Sequence, residues 1–576
     1  TPLTNASTIS VPEMGVDNPI PDGLTIDEMS SLVEKVSDNL EVEAPTGNGF
    51  CMFIKRETIN DVGLFDEETF GRGYGEENDF CMRAIYKNWI NIYVDSVFIY
   101  HKRSASFSSE KDILKGKNQP ILEKKHPEYI KLAKEFLGSS QLQHISNNIK
   151  SALNSGKIDN KLRKRILYIL HGGGGGTQFT NEDLMMHIQN DLDCYVLLSS
   201  SKKVILGKYL NNKFEEIYSW DIASKWSAKD FYNPEFRDIY FNVLMGLKID
   251  IIHIRHLIHH TFDLSDIAEK LGIPIITSFH DFYFICPSYN LLDDNIDYCA
   301  GKCTEGKGQC HLTMETLKDL PILKNFIDEW RNEITKVIAK SSAFVTTSEV
   351  VKQIFISVYP QLSLKDFRVI EHGRDFKSNE KNSGIYEVPS KTKKIKILIP
   401  GDIKEQKGSS LIKELKKYDK NSMLEFHFMG AIDDNLEGIG TFHGPYKRNN
   451  FCRFVKNIKP SFIGIFSIWP ETYCHTLSEA WGCGIPVLTT RIGVLEERVN
   501  KNGGGWLLDH KNPSKSYDEI LRIANSTEEY RRVAKEVKDI SIKSTKEMAD
   551  LYLELYHHYI RGKYDNPISP RIEGEF

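Results

Sequence analysis

The 576-residue sequence predicts an α/β protein: two parallel-sheet halves of the dinucleotide-binding type behind a shorter, truncated α/β segment. Three observations carry this reading. An apolar run, RILYIL, leads into His171 and the glycines Gly172 to Gly176, then into TQFTNEDLMMHI, which is the order strand, glycine-rich turn, helix. A second run, KIKILIPGDIKEQKGSSLIKEL, repeats strand, short loop and helix farther along. The length fits as well, since two halves of roughly 200 residues each leave about 150 at the front. The expected layout is a front segment over 1–105, a helical linker over 106–160, halves over 161–385 and 386–545, a closing helix over 546–565 and a tail over 566–576.

Each element has its own signal. Glycine lets a backbone approach a ligand, and a flexible linker is a poor fit to a run fused to an apolar strand and an Asn-Glu-Asp helix start. IDIIHIRH and IPIITSFHDFYFICP read as two further strands, the second ending at His280 and Asp281. AFVTTSEVVKQIF and RVIEHGRDF supply the last strand and helix of the first half, with Arg374 and Asp375 where the chain crosses to the second. FIGIFSIW reads as a strand ended by Pro470, followed by ETYCHTLSE, a loop entering a helix. There Glu471 lies on the loop and Glu479 about two turns into the helix, so both carboxylates can grip one polyhydroxylated ligand whose anionic part meets the helix amides. MADLYLELYHHYI closes the chain as a helix.

These segments resemble the retaining nucleotide-sugar glycosyltransferases of family 4, which have the two-domain GT-B fold. The resemblance implies that Glu471 faces the donor sugar and Glu479 holds the ribose. It places Cys474, His475 and Thr476 where backbone amides meet the diphosphate, with Leu477 also among the donor-binding residues, and Lys407 where a lysine neutralises the leaving group. It also implies that His280 lies over the donor sugar and that Gly174, Gly175 and Gly176 face donor phosphate and acceptor. The family usually has an arginine five residues before the lysine. This chain has Asp402, which leaves Lys404 or a residue elsewhere to supply the second positive charge. No metal or other cofactor is required at such a site. The expected reaction is transfer of a sugar, with retention, to a glycan or lipid-linked acceptor in assembly of a bacterial surface polysaccharide such as O-antigen or capsule. Two alternatives are a non-catalytic scaffold in a polysaccharide assembly complex and a nucleotide-sugar epimerase.

The front segment carries an acidic cluster, Glu76, Glu77 and Asp79, ahead of a basic amphipathic helix and a strand ending at His101. A carboxylate at a helix start can take a proton from an acceptor hydroxyl. This stretch resembles the C-terminal part of inverting family 2 transferases of the GT-A fold, which would put the base at Glu77 and a metal ligand at His101. No Asp-x-Asp metal site precedes it; Asp191-Leu-Asp193, the one such spelling of note, reads as a loop in the GT-B part. The front module is therefore expected to be inactive as it stands, with magnesium or manganese relevant only if the module is completed in a bifunctional protein.

Composition is ordinary: 40% hydrophobic, 27% charged, net charge −5, so nothing points to nucleic acid. No apolar stretch approaches the roughly 18 residues of a membrane helix, and a cytoplasmic enzyme is expected. The lysines from about 104 to 160, with Lys161, Arg163, Lys164 and Arg165, suit a solvated face or peripheral contact with an anionic bilayer at its inner surface. Cys286, Cys299, Cys303 and Cys310, with His311 adjoining, fall in loop-like sequence that leaves structural zinc, a disulfide and plain reduced thiols all open.

Overall fold

The computed structural model describes residues 3–4, 12–13, 18–49, 51–71, 73–101, 111–155, 163–173, 175–224, 226–293, 295–303, 324–377, 380–390 and 392–565. Gly174, Cys310, His311 and the 566–576 tail lie outside them. The chain forms two compact units: Thr1–Arg165 with Ile205–Trp220 and Phe241–Ile249, and Ile166–Val204 with Asp221–Tyr240 and Asp250–Phe576.

In the first unit β1 (Leu3–Thr4) pairs in parallel with β4 (Phe98–Ile99), and β2 (Glu41–Glu43) pairs antiparallel with β3 (Ile92–Val94). The helix Ile26–Val36 starts at a reciprocal cap between Thr25 and Glu28, which satisfies two otherwise orphan amides. Its buried Met29, Leu32 and Val33 share a core with Leu142, Ile145 and Ile149 of the helix Ser140–Ser155. Asp38 is fully buried between His144 Nε2 at 2.6 Å and Lys208 Nζ at 3.2 Å.

The second unit holds the parallel-paired strands of two large sheets. After β5 (Lys164–His171) and β6 (Leu192–Ser199) come β7 (Lys203–Leu210) and β8 (Lys213–Asp221), most of which belong to the first unit. The first sheet then continues through β9 (Ile251–Ile254), β10 (Ile275–Ser278), β11 (Ala343–Thr346) and β12 (Asp366–Val369). Within the second unit the strand order is β12-β11-β10-β9-β5-β6, so the order reverses between β5 and β9. The second sheet contains β13 (Ile395–Pro400), β14 (Leu424–Met429), β15 (Thr441–Phe442), β16 (Phe462–Ile465), β17 (Val487–Thr490) and β18 (Gly505–Leu508). Its order, β15-β14-β13-β16-β17-β18, is the doubly wound Rossmann arrangement, with every neighbouring pair parallel. The strands are buried on both faces, which is why they read as near-continuous apolar runs. Each fully buried Ile, Leu or Phe of this core, such as Ile397, Ile412 or Phe462, contributes roughly 1.5–3 kcal/mol.

Three elements differ from expectation. The strand read through FIGIFSIW is only Phe462–Ile465, because the chain leaves the sheet to build the loop before the next helix. That helix is His475–Gly482, so Glu479 is about one turn inside it rather than two. Asp193 belongs to β6 rather than to a loop. The closing helix runs Thr545–Asp565. Its start is fixed by Asp375, which accepts from the Thr545 amide at 3.1 Å and from its hydroxyl, and by His187 at 2.8 Å from that hydroxyl. Farther on, the Tyr556 hydroxyl meets His253 Nδ1 at 2.6 Å.

Candidate functional site

Open doubly wound sheets bind ligands beyond the carboxyl ends of the strands where strand order reverses. In the second sheet that point lies between β13 and β16, and the two residues read as the centre of the site come from those two strand ends. After β13 the chain makes a short 3-10 turn over Glu405–Lys407 and enters the helix Ser409–Tyr418 through Gly408. Gly408 has φ +84°, and a Cβ there would lie 2.1 Å from the Phe466 carbonyl oxygen, so only glycine fits the turn that aims Lys407. Lys407 Nζ donates to Glu471 Oε1 at 2.7 Å, and the Ser467 hydroxyl donates to the same oxygen. Burial alone would push the Glu471 carboxyl up, but Lys407 and Ser467 hold it below the usual glutamate range. Burial likewise opposes the Lys407 charge, and Glu471 more than restores it, so the ammonium titrates above its ordinary value.

The loop carrying Glu471 is held in an uncommon shape. Glu471 has φ +35° and Cys474 φ +65°, left-handed conformations that non-glycine residues adopt only when their surroundings enforce them. The enforcement is visible. The Pro470 carbonyl accepts from Val494 N at 3.0 Å, and the Thr472 hydroxyl donates to the His280 carbonyl at 2.5 Å. The Tyr473 hydroxyl donates to the His372 carbonyl at 2.6 Å, while Arg498 Nη1 donates to the carbonyls of Tyr473 and Cys474 at 2.9 and 3.0 Å. The loop delivers the chain into the His475–Gly482 helix. The N–H groups of His475 and Thr476 have no acceptor among the described residues, whereas the Leu477 amide is engaged by the Cys474 carbonyl at 3.2 Å. His475 and Thr476 thus present amides, whereas Leu477, read as donor-binding, has its side chain in the core.

Glu479 accepts from Arg374 Nη2 at 2.9 Å. Burial raises its carboxyl above the ordinary range even though Arg374 and Arg448 oppose the shift. Arg448 Nη1 in turn reaches Asp183 Oδ2 at 2.7 Å. A pocket of about 280 Å³, lined by Arg374, Phe376, Lys377, Arg448 and Phe451 among others, adjoins the pair. Lys404 turns elsewhere: its ammonium is exposed and 3.8 Å from Asp402, so that lysine's charge is partly spent on the residue standing where an arginine was expected.

His280 belongs to a column of rings. It stacks on His372 at 5.3 Å with an interplanar angle of 2°, and His372 stacks on His475 at 5.1 Å. Burial pulls all three well below the usual histidine range, so they are neutral near pH 7. His280 Nε2, His372 Nδ1 and His475 Nδ1 are buried without a protein hydrogen-bond partner among the described residues. The histidine at 280 was legible from its strand end and His475 from the helix start, whereas His372, contributed by the crossing segment, was not.

The glycine-rich loop follows β5, and Gly175 caps the helix Gly176–Ile188 with φ +96°. Gly174 lies outside the described residues. His171 Nδ1 accepts from Gly173 N at 3.1 Å, and its ring packs edge-on to His256, which pairs with Asp281 at 2.9 Å. Of the cysteine cluster, Cys286 is buried and accepts from the Ser288 hydroxyl, and Cys299 and Cys303 are half-buried. No group of three metal-ligating side chains occurs among the described residues, and Cys310 lies outside them. A different pair, Cys452 and Cys483, forms a disulfide that ties the helix Phe451–Ile458 to the end of the Glu479 helix. In the first unit Glu77 sits in the first turn of the helix Glu76–Tyr86 and accepts from the Gly75 amide at 3.3 Å.

A lysine, a glutamate and free helix amides converge at the switch point of the second Rossmann-type sheet, in the part of the chain whose family match supports a glycosyltransferase. Residues 385–539, the second half, match the family model described as glycosyl transferases group 1. No curated protein matches the chain. Among solved structures, it is similar to HepE from Anabaena in complex with UDP, at 12% identity over 68% of this chain and 100% of that one, TM-score 0.46. Sucrose-phosphate synthase from Thermosynechococcus elongatus aligns at 12% identity over 69% and 100%, TM-score 0.48. A glycosyltransferase from Rickettsia africae aligns at 15% identity over 70% and 100%, TM-score 0.46.

Proposed function

We propose that the second unit transfers a sugar from a nucleotide-diphosphate sugar to a hydroxyl of a glycan or lipid-linked acceptor, with retention at the anomeric carbon. The observation that carries this is the Lys407–Glu471 pair beside the unpartnered amides of His475 and Thr476. A lysine and a helix N-terminus together suit the charge of a departing diphosphate, and a buried carboxylate held ionised beside them orients sugar hydroxyls. Glu479 anchors the ribose by exchanging its Arg374 bond for hydroxyl donors. In the step itself the anomeric C–O bond to the diphosphate breaks as the acceptor oxygen bonds to the same face of that carbon, and the acceptor proton passes to a phosphate oxygen. Lys407 and the amides supply the stabilising charge, so no divalent cation is required. His280 and the Gly175–Gly176 turn bound the donor on the side of the first sheet. Bacterial surface polysaccharide assembly at the inner face of a membrane is the proposed setting, by resemblance. We also read residues 1–105 as similar to part of a family 2 transferase, with Glu77 at the position of its base and His101 at its metal position and the module inactive as it stands, and keep structural zinc as a proposal for the cysteine cluster.

Asp402 favours a second reading, a non-catalytic scaffold, because it draws Lys404 away from the site. Titration of UDP-, GDP- and dTDP-sugars with and without magnesium, followed by product analysis with candidate acceptors, separates the two. Transfer with retention supports the enzyme, binding without turnover supports the scaffold, and free interconversion of donor sugars with no acceptor would indicate an epimerase.

A further inference from the structure

Four cations around the proposed donor site have a carboxylate partner among the described residues. Lys407 has Glu471, Arg374 has Glu479, Arg448 has Asp183 and Lys404 has Asp402. Arg498, on the helix Gly493–Asn502, has none among the described residues. It is 8% exposed, yet among the described residues its guanidinium meets only neutral groups: the Tyr473 and Cys474 carbonyls, the Ser478 hydroxyl at 2.8 Å, and the rings of Tyr473 and Trp481 at 4.3 and 5.2 Å. Cys474 is the N-cap of the His475–Gly482 helix, so this charge lies directly behind the positive end of a helix. A buried cation beside a helix N-terminus is unfavourable on both counts, through desolvation and through like-sign fields. An anion bound at that terminus relieves both. A second observation points to the same place: His372, 4% exposed and stacked on His475, has Nδ1 without a hydrogen-bond partner among the described residues.

We infer that Arg498 supplies the second positive charge of the donor site, acting through the start of the His475–Gly482 helix on a nucleoside diphosphate bound there. This rests on the donor reading above. Arg498 is a positioning residue: its fork sets the strained Glu471–Cys474 loop from below while its charge adds to the field of Lys407 and the amides. The three parts come from separate segments, which explains how the chain tolerates Asp402.

The test compares Arg498→Lys, Arg498→Met and Lys407→Ala in titrations with UDP, GDP and dTDP, each alongside its parent nucleoside, at two salt concentrations, with melting temperature as a fold control. The expected result is that Arg498→Met weakens diphosphate binding by about tenfold or more with a shallower salt dependence, leaves nucleoside binding unchanged, and is rescued to within about threefold by lysine. Equal loss of nucleoside and diphosphate affinity, equal loss in the lysine and methionine variants, or no loss at all overturns the inference. If Lys407→Ala loses binding and Arg498→Met does not, the donor reading stands without it. If neither changes diphosphate binding, both fail.

Discussion

Lys407 and Glu471 hold each other's charge, and the pH range of that support follows from the two shifts. The Glu471 carboxyl is lowered in the fold, so its contribution is present above the unfolded value of about 4.3 and is lost as pH falls through the folded one. The Lys407 ammonium is raised, so its contribution is present below about 10.4 and is lost as pH rises through the folded value. The pair should therefore add a constant increment between about pH 5 and 10, measurable as a flat difference in unfolding free energy between the native protein and Lys407→Met/Glu471→Gln. Glu471→Gln alone leaves the lysine unpaired. Since a third of the Lys407 side chain is exposed, 34% by area, the cost should be about 1–3 kcal/mol, below the 3–5 kcal/mol of a fully buried pair. Activity should suffer far more, with Lys407→Ala lowering kcat by about 10² to 10³. Glu479→Ala should abolish nucleotide binding, and unchanged affinity would remove Glu479 from the ribose site.

The elements that present these residues are fixed by close backbone approaches. Gly493 has φ +53°, and a Cβ there would fall 2.2 Å from the Pro470 carbonyl oxygen, where the Glu471 loop begins. Gly493→Ala should cost on the order of 2 kcal/mol in chemical denaturation and reduce turnover more than Gly503→Ala, which strains a backbone of φ +71° at the far end of the same helix. Lys407 and Glu471 were legible because each follows an apolar run broken by glycine or proline, and such punctuation marks strand ends directly. The placement of Glu479 was off by a turn because Cys474 takes a left-handed conformation that delays the helix start. Arg498, His372 and Ser467 were not legible. Arg498 sits in an EERV stretch that reads as a solvated helix face, and only the packing of that helix under the Glu471 loop turns it inward.

At the scale of the whole molecule, strand order rather than any single motif decides where Lys407 and Glu471 meet. The apolar runs announced the strands, but the reversal between β13 and β16 that brings Lys407 to Glu471 is a property of tertiary pairing. The same holds for the Cys452–Cys483 disulfide, whose partners are 31 residues apart and belong to no local pattern. Closing a loop of that length should stabilise by roughly 3–4 kcal/mol, so reduction by dithiothreitol should lower the melting temperature, and Cys452→Ser/Cys483→Ser should be insensitive to the reductant. The most direct test of the account is calorimetric titration of UDP-, GDP- and dTDP-sugars in EDTA, with the native protein and with Lys407→Ala. Binding of one donor that needs no metal and disappears in the variant is the predicted result. Binding that demands a divalent cation, or that survives the loss of Lys407, would contradict it.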